Sequence, residues 1–89
     1  MNIEALAALL KAAGHAHHQA FIETDGDDPA WATWYAGYLH TKLQSFFGRD
    51  LSQDEIAQAL NQLDERYRTH KVYTDWPTYY AQAMIQLWG

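Results

Sequence analysis

Leu51-Ser52-Gln53-Asp54-Glu55-Ile56 is written as the start of a helix. A serine hydroxyl at the cap takes the backbone amide three residues on, and the glutamate there reaches back to the serine amide. Leu51 and Ile56 flank this capping box as a hydrophobic staple. Downstream, Ile56, Leu60, Leu63 and Tyr67 recur at steps of three and four, which marks one narrow apolar face. Asp64, Glu65, Arg66 and Arg68 read as its solvated flank. His70 or Lys71 reads as its end, because positive charge suits a helix C-terminus.

Upstream of the box, Asp28-Pro29 to Gly48 forms a second helical stretch. Aspartate is a good N-cap, and proline is at home in the first helical position. Gly48 supplies the stop. Tyr35, Leu39, Leu43 and Phe46 form one apolar side, widened by Ala32 and Ala36, and Trp31, Trp34 and Tyr38 form another. A helix apolar over so much of its girth is central or covered by a partner.

Further back, Asn2 to Thr24 carries Ile3, Leu6, Leu10, Ala13, His17 and Phe21 as a stripe, with Asn2 as cap and Gly26 as the left-handed terminator. Gly14 inside it costs about 1 kcal/mol relative to alanine, so it marks close packing or a bend. At the other end, Asp75-Trp76-Pro77 opens a fourth stretch that reaches Trp88, with Trp76, Tyr80, Ala83, Met84 and Leu87 on one face. Nothing alternates with period two over a useful length, and no internal repeat stands out. Short connections between long helices predict an all-α, compact four-helix up-down bundle, one domain over residues 1–89.

Composition narrows the function classes. The formal net charge of -5 disfavours nucleic acid, whose phosphates an acidic surface repels. The absence of cysteine rules out disulfides, thiol catalysis and thiolate metal sites. No apolar run is long enough to span a bilayer, and Met1-Asn2-Ile3-Glu4 lacks the basic start of a signal peptide, so no membrane partner and a cytoplasmic location are expected. Four Trp, six Tyr and three Phe are a large ring content for 89 residues. Rings in excess of one small core need a ligand or a second copy to cover them.

Three clusters carry possible chemistry. In His15-Ala16-His17-His18 the side chains diverge around the helix, His17 toward the stripe, His18 to its edge and His15 outward. A histidine in an apolar stripe is more often a satisfied core residue than a ligand. It needs a partner, at a cost of about 1–3 kcal/mol without one. Glu23-Thr24-Asp25-Gly26-Asp27-Asp28 lacks the order of a calcium loop and reads mainly as turn chemistry. Glu23 and Asp25 nonetheless sit where a helix dipole disfavours negative charge, which calls for a positive partner. Trp31, Trp34, Tyr35 and Tyr38 follow directly; such rings at helical spacing are core more often than pocket. His40 and His70 read as surface and helix-end residues.

The run His17-His18-Gln19-Ala20-Phe21, followed by Asp28-Pro29-Ala30-Trp31-Ala32-Thr33-Trp34-Tyr35-Ala36-Gly37-Tyr38-Leu39, resembles a pattern in small uncharacterised bacterial helical proteins: H-H-x-A-F, an acidic turn, then D-P-x-W-x-x-W-Y-A-x-Y-L. The resemblance covers residues 15 to 39. It implies a compact helical protein with a site near the first interhelical turn, and no particular activity.

These readings yield a first expectation of a binding module. A small organic ligand would lie at the first turn among His17, His18, Asp25, Asp28, Trp31, Trp34, Tyr35 and Tyr38. A second expectation is a metal-assisted enzyme, with His15, His18 and Asp25 holding an ion that activates water. A third is an interaction protein that covers its surplus rings in a homodimer.

Overall fold

A computed structural model describes residues 2–70 and 74–89, and it folds as a four-helix up-down bundle. The helices are α1 (Ile3–Ala20), α2 (Trp31–Phe47), α3 (Gln53–Thr69) and α4 (Trp76–Trp88), with a short 3-10 turn at Ile22–Thr24. Consecutive helices pack side by side and α4 closes the ring against α1. The broadest interfaces are α1 with α4 and α2 with α3. None of the helices among the described residues is long and apolar enough to cross a membrane.

Local chemistry sets the ends. Asn2 Oδ1 accepts the Ala5 amide at 3.0 Å to cap α1. The capping box of α3 is complete: Ser52 Oγ accepts the Glu55 amide at 3.0 Å, and Glu55 Oε1 accepts the Ser52 amide at 3.3 Å. Gly48, at φ 63°, ends α2 in the left-handed conformation and donates to the Gln44 carbonyl. Of the residues expected to end α3, His70 is the cap, and Lys71 lies outside the described residues.

The core is built from Leu6, Leu10 and Ala13 of α1, Ala36, Leu39 and Leu43 of α2, Ile56 and Leu60 of α3, and Ala81 and Met84 of α4. Two expectations shift by a position. Phe47 rather than Phe46 is buried, and Trp88 rather than Leu87; Leu87 is 58% exposed. Both wide apolar arcs rotate so that the last ring of the helix meets its counterpart, Phe47 against Trp88 with centroids 5.8 Å apart. His40 is not a plain surface residue. It is half-buried and its Nε2 donates to the Leu51 carbonyl at 2.8 Å, while Gln44 Oε1 accepts the Leu51 amide at 3.0 Å. Together they pin the buried Leu51 and so fix the α2–α3 turn.

Helix α2 begins at Trp31, later than the Asp28-Pro29 cap implies. Asp28 closes a turn instead: its Oδ1 accepts the Ala30 amide at 3.0 Å, and its carbonyl accepts the Trp31 amide. Helix α1 likewise stops at Ala20, before Thr24. Glu23 and Asp25 therefore sit exposed in a separate turn beyond the α1 dipole, with no ion pair among the described residues. Asp25 at φ 57° and Gly26 at φ 83° turn the chain, and the Gly26 amide donates to the Phe21 carbonyl at 2.9 Å.

Candidate functional site

The first interhelical corner is assembled around His17. The ring is 7% exposed, and its Nε2 lies 3.1 Å from Asp28 Oδ2. Phe21, Trp34 and Tyr35 surround it, with centroids 4.8, 5.2 and 5.0 Å away. Asp28 thus serves two elements at once, one oxygen to α1 and one to the turn before α2. The expected residues divide accordingly. His17, Asp28, Trp34 and Tyr35 come together as a packed network. Tyr38 lies beyond them, stacked on Trp34 at 5.7 Å with Lys42 Nζ 4.5 Å above its centroid. His18 is exposed, its Nδ1 close over Gly26, and Asp25 is exposed in the turn. Among the described residues no three His, Asp or Glu side chains are grouped closely enough to hold a metal ion; His15 and His18 border one cleft, and Asp25 is exposed in the turn.

The space lies on the opposite side of Tyr35. A cavity of about 260 Å³ opens between α2, α3 and α4, lined by Trp31, Tyr35, Asp64, Tyr67, Trp76 and Tyr80. Only Trp31 and Tyr35 belong to the expected cluster. The rings follow one another edge to face. Trp31 meets Tyr35 at 89°, Tyr35 meets Trp76 at 70°, Trp76 meets Tyr80 at 75°, and Tyr80 meets Tyr67 at 77°. Edge-to-face packing satisfies the ring quadrupoles and makes each ring a wall set across its neighbour. The hydroxyl of Tyr67 is committed, donating to the Thr74 carbonyl at 3.0 Å. Burial raises the pKa of Tyr35, and it raises that of Tyr80 further, aided by the nearby Asp64 carboxylate.

Among the described residues Asp64 is the one charged group in this lining. The sequence placed it on a solvated flank, but its side chain is only 31% exposed. Arg68, largely exposed on the next turn, donates from Nε to Asp64 Oδ2 at 2.9 Å. Tyr35 and Trp76 also border a second cleft of about 570 Å³, whose polar rim includes Lys11, His15, His18 and Asp75.

No family model, curated protein or solved structure matches the chain. The informative likeness is internal. Trp31-Ala32-Thr33-Trp34-Tyr35-Ala36 at the head of α2 returns as Trp76-Pro77-Thr78-Tyr79-Tyr80-Ala81 at the head of α4. This pairing is the signal that the expectation of no repeat missed. The packing repeats with it. Trp31 stands 5.6 Å from Tyr35, and Trp76 stands 5.4 Å from Tyr80. His17 of α1 packs on Trp34 and Tyr35, as Tyr67 of α3 packs on Tyr79 and Tyr80 at 5.5 and 6.3 Å. The chain thus forms two consecutive helical hairpins, α1–α2 and α3–α4, whose broadest mutual interfaces are α1 with α4 and α2 with α3.

The likeness is partial, and one of its differences bears on the cavity. Gly14 precedes His17 by the same interval at which Asp64 precedes Tyr67. A Cβ on Gly14 would lie 3.1 Å from Cζ2 of Trp76, so the indole rests against bare α1 backbone. Gly14 therefore serves close packing. On the other side Asp64 stands across from Trp31, and the cavity lies there.

None of the described Phe, Tyr or Trp rings is exposed. Ile22 and Leu87 are the large apolar side chains left in water among the described residues. The two hairpins thus cover one another's aromatic side chains within one chain.

Proposed function

We propose that this protein is a binding module for a small organic ligand, held in the cavity between α2, α3 and α4. The observation that carries the reading is the ring of five aromatic side chains set edge to face around an open space with a single carboxylate. Concave, mostly aromatic sites with few polar groups are the usual form of small-molecule pockets. At about 260 Å³ the space falls just under the roughly 300–1,000 Å³ of drug-sized sites, which suits a small molecule or a head group. The His17–Asp28 pair belongs to the supporting structure, since it fixes the corner from which Trp31 and Tyr35 project. The lack of cysteine suits a reducing, cytoplasmic setting.

Intrinsic fluorescence tests the proposal, because Trp31 and Trp76 line the space. Titration with a library of amines, carboxylates, sugars and nucleosides should give a saturable change for at least one class. That change should shrink in Trp31→Phe and persist in Trp34→Phe, whose ring lies outside the lining. A flat response across the library overturns the reading.

A further inference from the structure

We infer that the cavity is a receptor for an organic cation, a fully methylated ammonium group, with Trp31, Tyr35, Tyr67, Trp76 and Tyr80 as its walls and Asp64 as its counter-charge; this rests on the reading that the cavity binds a small molecule.

The faces of aromatic rings are electron-rich, and a cation within about 6 Å of a ring centroid is attracted to them. Here successive rings stand nearly perpendicular, so a group at the centre meets several walls at once. The charge of the lining has one sign. Asp64 contributes a carboxylate, and among the described residues no lysine, arginine or histidine borders the space. An anion would meet that carboxylate with only neutral indole N–H and phenol O–H donors to offset it, and a neutral guest would bring it no opposite charge. Arg68 binds Oδ2 from the solvent side, and Oδ1 has no hydrogen-bond partner among the described residues.

Methylation follows from the supply of acceptors. A primary ammonium brings three donors that need partners. As acceptors the lining offers the carboxylate and phenol oxygens; the two indole N–H groups only donate, and the rest is ring surface. A trimethylammonium group carries its charge on a nearly spherical apolar surface and asks for no hydrogen bonds. It matches both the walls and the volume of about 260 Å³. The net charge of -5 also draws cations toward the molecule.

The test uses the full chain and three probes: tetramethylammonium, choline, and 3,3-dimethylbutan-1-ol, the uncharged carbon counterpart of choline. Tryptophan fluorescence and calorimetry at low salt should show both cations binding with dissociation constants in the millimolar range or tighter. The neutral counterpart should bind about tenfold more weakly. Asp64→Asn should lose about tenfold for choline and leave the neutral alcohol unchanged. Trp31→Ala should lower binding of all three, and circular dichroism establishes that each variant is folded.

Equal binding of choline and its neutral counterpart overturns the charge assignment while the cavity reading stands. So does an unchanged choline affinity in folded Asp64→Asn. If the cations fail to bind but an anionic or neutral library member does, the assignment falls and the cavity reading survives. If no probe and no library member binds, both fall.

Discussion

Asp28→Ala tests the corner on which the aromatic walls are mounted. The substitution removes two acceptors in one step. Oδ2 is lost from His17 Nε2 at 3.1 Å, and Oδ1 from the Ala30 amide at 3.0 Å. His17 is 7% exposed, so its ring nitrogen gains little from water when the partner goes. Such an unpaired group costs about 1–3 kcal/mol. Loss of a side-chain acceptor at a helix entrance adds about 0.5–2 kcal/mol. The expected total is about 1.5–5 kcal/mol, and at about 4–8 °C per kcal/mol for a domain of this size the melting temperature should fall by at least ~6 °C. Urea and thermal unfolding followed by circular dichroism measure it. Repeating the substitution in a His17→Leu background isolates the pair, because only the Ala30 contribution of about 0.5–2 kcal/mol should remain. An equal cost in both backgrounds, or a loss below about 0.5 kcal/mol in the parent, refutes the coupling.

Gly14→Val should destabilise the bundle by about 1–3 kcal/mol in the same unfolding assays, because its added Cβ already lies 3.1 Å from the Trp76 ring before the two methyls are placed. Tyr35 and Tyr80 should ionise later than free tyrosine when phenolate absorbance is followed against pH, and Asp64→Asn should bring Tyr80 back toward the ordinary 10.0. A folded phenol with a raised pKa holds its proton longer than the unfolded one, so this share of stability is complete below that ordinary value and declines as pH rises above it.

The helices were legible because their signals are local. A capping box, a glycine stop and an apolar stripe each act over a few residues, and the ends of α3 and α4 fall where those signals put them. The start of α2 was less legible, since Asp28 is held by His17, a residue of another helix. Choosing between Phe46 and Phe47, or Leu87 and Trp88, also depends on what lies across the interface. His17 and its need for a partner were readable from the stripe it occupies. The cavity was half legible: Trp31 and Tyr35 stood out, but Asp64 and Tyr67 lie on α3 and Trp76 and Tyr80 on α4. Asp64, between charged neighbours in the chain, looks like surface until the opposing hairpin is in place.

The heads of α2 and α4 bring two alike Trp–Tyr pairs to one recess, and alike pairs alone would give an entering molecule no preferred orientation. The swap of a glycine for an aspartate at corresponding places removes that indifference. On one flank the indole of Trp76 has moved in to occupy the vacancy over Gly14; on the other an acid group holds the ground opposite Trp31. The two ends of the recess therefore differ, one closed by an indole on bare backbone and the other carrying a carboxylate.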